Sequence, residues 1–63
     1  MDDMIYKGYT GNIRYNYFRN FYHGRVLFID DIISYEGETQ EECRKDFERA
    51  VDFYLEMKVE EKK

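Results

Sequence analysis

Hydrophobic and polar positions alternate with a period of two along the first half of the chain and with a helical period along the second. From Met4 to Tyr17, one side of an extended chain would show Ile5, Lys7, Tyr9, Gly11, Ile13, Tyr15 and Tyr17. The other would show Met4, Tyr6, Gly8, Thr10, Asn12, Arg14 and Asn16. Alternation rich in β-branched and aromatic residues predicts strand. Gly8 and Gly11 are points where such a strand could bend, bulge or turn. The expectation is one long bent strand, with a tight hairpin at Tyr9–Asn12 as the alternative.

Phe18, Arg19 and Asn20 connect to the next strand, and Asn tolerates the left-handed backbone of a tight turn. Phe21 to Ile29 is expected to be the second strand. It shows Phe21, His23, Arg25, Leu27 and Ile29 on one side, and Tyr22, Gly24, Val26 and Phe28 on the other. Both sides are apolar toward its end, as in a strand covered on both faces. Asp30 and Asp31 break the pattern, Ile32 to Glu36 reads as a third strand, and Gly37 supplies a turn.

Thr39-Gln40-Glu41-Glu42 fits a capping box, with Thr39 at the N-cap and Glu42 three residues on. A helix is expected from about Gln40 to Met57. Cys43, Phe47, Ala50, Val51, Tyr54 and Met57 fall on one face, with Lys45, Glu48, Arg49, Asp52 and Glu56 opposite. Glu41 and Lys45 form a favourable i,i+4 pair. Phe53 lies off the apolar stripe, which suggests contact with another chain. Lys58 to Lys63 is almost wholly charged and reads as a frayed tail. The expected fold class is therefore α+β: a small antiparallel sheet of about three strands with one C-terminal helix across one face. It would form one domain over residues 1–63, with a core from about Met4 to Met57.

Length and composition sharpen this picture. At 63 residues a fold buries only about 60% of the surface its unfolded chain exposes. Cys43 is the sole cysteine and His23 the sole histidine, so neither a disulfide nor a His/Cys metal site can brace the fold. A partner or a second copy of the chain is left to do so. One helix covers only one sheet face, which points to a homodimer. Twelve aromatics, seven Tyr and five Phe, suit half-wet interfaces. Tyr15, Tyr17, Tyr22, Phe28 and Phe53 are the candidate partner or dimer contacts.

Charge is segregated. Met4 to Ile29 carries Lys7, Arg14, Arg19 and Arg25 and no acid, whereas the acids lie at Asp2, Asp3 and from Asp30 onward. A cationic strand half could meet an anionic partner. Tyr15, Tyr17 and Tyr22 interleaved with Arg14, Arg19 and Arg25 could stack single-stranded bases, with affinity that fades in salt. Aromatics packed in a core and dimer interface are the plainer alternative.

No catalytic constellation emerges. His23 lacks an evident partner and nucleophile, and Cys43 on the apolar helix face reads as an inert core thiol. Asp30, Asp31, Glu36 and Glu38 sit at turns without calcium-loop spacing. No Gly-rich phosphate loop is present, so no cofactor is expected. No apolar run is long enough to span a membrane. The acidic start, MDDM, is unlike a signal peptide, which makes the cytoplasm the expected compartment.

Several blocks resemble the HicB family of bacterial and archaeal antitoxins. They are Tyr6-Lys7-Gly8-Tyr9, Phe21-Tyr22-His23-Gly24-Arg25-Val26-Leu27, Tyr35-Glu36-Gly37-Glu38-Thr39, Asp46-Phe47, and Ala50-Val51-Asp52-Phe53-Tyr54-Leu55. They span Met4 to about Leu55 in order. The resemblance implies a degraded RNase H-like fold without nuclease activity. It also implies a partner, a small RNA-cleaving toxin of HicA type, neutralised by binding. Phe28 stands where the family usually has Gly, and Phe53 where it usually has an acid. Typical members continue into a DNA-binding segment, so operator binding by this chain alone is not expected. A stand-alone RNA-binding protein, or a homo-oligomeric domain of other role, is the alternative.

Overall fold

The computed structural model describes residues 3–61, with side chains through residue 58. It has an α+β architecture. Strands β1 (Met4–Tyr6) and β2 (Tyr9–Gly11) form an antiparallel hairpin. Strands β3 (Arg14–Asn16), β4 (Phe21–Arg25) and β5 (Ser34–Gly37) form a three-stranded antiparallel sheet in the order β3-β4-β5. One helix, α1 (Gln40–Glu61), packs across one face, mainly over β5 and β4.

The first strand is not continuous. It folds back at Lys7–Gly8, where both residues are left-handed, with φ of 52° and 83°. Positive φ at two central residues is the geometry whose twist matches a two-residue hairpin. The turn thus falls earlier than the Tyr9–Asn12 alternative. Beyond it the expected single bent strand is again interrupted, since β2 and β3 belong to different sheets, although their pairing keeps one register. Gly11 pairs with Val26, and Arg14, three residues on, pairs with His23 in the same register. Between them, at Asn12–Ile13, the backbone kinks.

Tyr35 of β5 explains how the kink is tolerated. Its hydroxyl donates to the Asn12 carbonyl at 2.6 Å and lies 3.1 Å from the Arg25 carbonyl. The Asn12 side chain accepts from the Arg25 N–H at 2.9 Å. Gly24 lies opposite Tyr35 in the register, and having no side chain it leaves the Asn12 carbonyl room to turn inward. Burial holds the Tyr35 hydroxyl protonated, well above its ordinary range. Tyr35→Phe should leave the part-buried Asn12 carbonyl without its donor, while the Arg25 carbonyl still accepts from the Asn12 N–H at 3.2 Å. An expected cost of about 1–3 kcal/mol would appear as a lower midpoint in urea unfolding.

The second strand ends at Arg25, with an isolated bridge at Val26, rather than at Ile29. Leu27 to Ile33 is a loop. It is closed by Val26 N–H to the Ile33 carbonyl at 2.9 Å and by Leu27 N–H to the Thr10 carbonyl at 2.7 Å. The third strand begins at Ser34, two residues later than expected.

The helix start follows its sequence signal. Thr39 Oγ1 accepts from the Glu42 N–H at 3.1 Å, and Glu42 reaches back to the Glu38 N–H at 3.1 Å. The reciprocal bond therefore goes one residue further upstream than a standard capping box. Cys43, Phe47, Ala50, Val51 and Tyr54 are buried, while Met57 is half-buried. Cys43, Phe47, Ala50 and Val51 pack with Met4, Ile13, Val26 and Tyr35, and Tyr54 meets Tyr9 edge-on. The helix runs on through Glu61, 22 residues in all or about 33 Å at 1.5 Å per residue, so Lys58 to Glu61 is helical rather than frayed. The rest of the expected tail, Lys62 and Lys63, lies outside the described residues. No helix among the described residues is long and apolar enough to cross a membrane.

Candidate functional site

With the core filled by the helix stripe and Tyr35, what remains for function is surface. Pairing fixes which strand residues share a side. Tyr35 is buried, Gly24 lies opposite it, and Tyr22 is two residues from Gly24. Tyr22 therefore faces the helix side and packs against the core. Tyr15 is opposite Tyr22 and lies on the same side, with ring centroids 4.8 Å apart. These two tyrosines form a half-buried border to the core, not the outer sheet face. Tyr17, in the following turn, stacks edge-on against Tyr15 at 4.9 Å and is exposed.

That turn is firmly built. Asn16 Oδ1 accepts from the Phe18 and Arg19 N–H groups at 2.9 and 3.1 Å. Asn20 takes the expected left-handed conformation, φ 58°. Its side-chain oxygen accepts from the Tyr15 hydroxyl at 3.1 Å. Phe18 points wholly into solvent.

Phe28 is placed differently from the expectation of a strand residue. It sits in the Leu27–Ile33 loop, at the opposite end of β4 from Tyr17. Its φ is 63° and its ring is 90% exposed. A bulky side chain in the left-handed region is a true outlier, held at a cost of about 1–3 kcal/mol. Glycine would adopt this conformation freely, without the strain that a phenylalanine bears. The rest of the loop anchors it, with Ile29 and Ile33 turned onto the core. Ile32 joins Phe28 outside, 85% exposed, and Asp30 and Asp31 lie exposed between them. Burial and the nearby Asp31 hold the Tyr54 hydroxyl above its ordinary range, which places this loop beside the helix.

Phe53 is exposed on the helix, off the buried stripe. The structure thus does not gather the five candidate contacts. Tyr15, Tyr17 and Tyr22 form one cluster, Phe28 stands at the far end of β4, and Phe53 is on α1. Sequence reasoning passed over Ile32 beside Phe28. It also passed over Phe21 and His23, which lie on the outer face of the sheet with ring centroids 5.6 Å apart. The alternation already grouped these two with Arg25.

The electrostatics follow the segregation of charge. Lys7 donates to Asp52 at 2.8 Å, and the Tyr6 hydroxyl donates to the same carboxylate at 3.2 Å. The hydrogen bond between them raises the Lys7 pKa and lowers that of Asp52. This contact ties the β1–β2 hairpin to the helix. Arg44 pairs with Glu48, Lys45 with Glu41, and Arg49 with Asp46. Asp46 also accepts from the Glu36 N–H of β5 at 3.0 Å. Cys43 is fully buried, and burial raises its thiol pKa, consistent with an unreactive core thiol. Asp30, Asp31, Glu36 and Glu38 are all exposed. No family model matches the chain, and neither a curated protein nor a solved structure does.

Proposed function

We propose that the chain is a HicB-like antitoxin domain of the cytoplasm, which binds and neutralises a HicA-type RNA-cleaving toxin by occupying its surface. Such an inhibitor needs a complementary face and no chemistry of its own. The RNase H-like ancestry implied by the resemblance belongs to the same reading. The α+β fold with its single C-terminal helix is consistent with it.

The resemblance carries the proposal, and Phe28, where this chain departs from the family's usual glycine, marks the surface its own partner would meet. A solvent-facing ring in a strained backbone adds nothing to the core and costs stability. Strain of this kind is retained where a site uses it. Aromatic anchors held in place before binding dominate interface energies, because less freedom is lost on association. Phe28 is an exposed ring of this kind, in a loop whose Ile29 and Ile33 pack on the core and whose Ile32 is also exposed.

Co-expression with the HicA-type toxin encoded beside it tests the reading. The wild-type chain should restore growth and co-purify with the toxin. Phe28→Asp should weaken both, because a carboxylate would lose its water on association, while the melting temperature stays near that of the wild type. Toxicity that persists beside a soluble, folded wild-type chain would overturn the proposal, as would the lack of any such neighbouring toxin.

A further inference from the structure

The helix covers one face of the three-stranded sheet, and no described element of the chain covers the other. Alternation and pairing place Arg14, Asn16, Phe21, His23, Arg25, Ser34 and Glu36 on that outer face. Arg14, His23 and Glu36 are direct neighbours across β3, β4 and β5, so they form one row over the sheet. Its charge runs from positive at one edge to negative at the other. At its centre His23 packs against Phe21, both half-buried.

The ends of this row are unsatisfied within the chain. The ion pairs among the described residues use Lys7, Arg44, Lys45 and Arg49. Arg14 and the Glu36 carboxylate take part in none of them. Glu36 is fixed from behind instead, through its backbone N–H to Asp46.

We propose that this face binds a second copy of the chain about a two-fold axis lying in the interface and running along β4. A two-fold interface requires a surface complementary to itself. Rotation about that axis reverses the row, so Arg14 of each copy meets Glu36 of the other. Phe21 and His23 meet their own mates on the axis. Packed sheets lie about 10 Å apart, a gap that an arginine and a glutamate span together. Arg25 also faces its own mate along the axis, but at the end of β4, where both guanidinium groups reach the rim and keep their water. An aromatic centre with arginine and few other charges is the usual composition of an interface between separately folded partners. Single-stranded nucleic acid fits the face less well, because Glu36 would stand against its phosphates. The two-fold pairing leaves the Phe28 loop, which lies beyond the strand end, outside its central row.

Sedimentation of the chain alone at micromolar concentration, with no toxin present, tests this pairing separately from the antitoxin reading. The wild type should be a dimer. Arg14→Glu and Glu36→Arg, both at exposed side chains, should keep the fold by circular dichroism. Each should weaken the dimer at least about tenfold, since like charges would then face each other twice. An equimolar mixture of the two variants should recover a dimer, because each supplies the charge that the other lacks. Three results would overturn the proposal: a monomeric wild type, a dimer indifferent to both reversals, or a mixture that stays monomeric. A monomer that binds oligouridylate through Arg14 and Arg25 would overturn it in favour of nucleic acid.

Discussion

Phe47→Ala should cost about 3–5 kcal/mol, the usual range for emptying a fully buried phenylalanine site. Phe47 is 1% exposed. Its ring meets Tyr35 at 5.1 Å and Tyr6 at 6.5 Å, so it joins the sheet, the hairpin and the helix at one point. The backbone of Gly11 closes over it, leaving no side chain there to collapse into the space. Typical stabilities scale to about 3–9 kcal/mol for a chain this long. The variant should therefore show a shallow or absent unfolding transition in urea, monitored by tyrosine fluorescence. A cooperative transition within about 1 kcal/mol of wild type would show that Phe47 is not central to the core.

Gly24→Ala should be as damaging for the opposite reason. A methyl group at Gly24 would land on the Asn12 carbonyl oxygen, well inside contact distance, and close to the Asn12 side chain as well. Backbone cannot swing aside as the end of a flexible side chain can. The kink that turns this carbonyl inward is also the one that Tyr35 holds by its hydroxyl. Relieving the clash would break that bond and the one from the Arg25 N–H to Asn12. Overpacking alone costs about 1–3 kcal/mol, and loss of the part-buried Tyr35 bond adds about 0.5–1.5 kcal/mol more. The expected result is little soluble folded protein. Amide spectra as well dispersed as those of the wild type would refute it. Gly8→Ala meets no such wall and strains only the local turn.

How much of this was legible in the sequence depended on whether the signal was local. The helix was, because its capping residues and apolar stripe lie within one element and obey one period. Cys43, Phe47, Val51 and Tyr54 are buried as that period requires. The three-stranded antiparallel sheet was legible for the same reason. The hairpin turn was not. The alternation runs unbroken through Lys7 and Gly8, and a lysine at positive φ carries no sequence mark. Apolar residues at Leu27, Phe28 and Ile29 mimicked a covered strand. The backbone turns left-handed at Phe28 instead, and a phenylalanine at positive φ carries no sequence mark. The sidedness of the aromatics was left open, and Tyr22 packs onto the core as the plainer reading had it. Tyr15 and Tyr22 drew attention as rings beside arginines, but Gly24 opposite Tyr35 sets which side faces the helix. That pairing is a property of β5, formed at a distance in the chain. It leaves Phe21 and His23 as the outward rings.

The carboxylate of Asp46, bonded to the Glu36 N–H, has a consequence for how this small sheet ages in a crowded solution. Exposed strand edges template further strands, which is how sheets grow into fibres. Here the β5 border is occupied by a group from the chain's own helix, and Arg49 holds that group in place. A newcomer would have to evict this carboxylate before one of its carbonyls could accept from the Glu36 N–H. Growth along the hydrogen-bonding direction is blocked on that border, so edge-to-edge joining of sheets through β3 would end with two molecules instead of continuing into a filament.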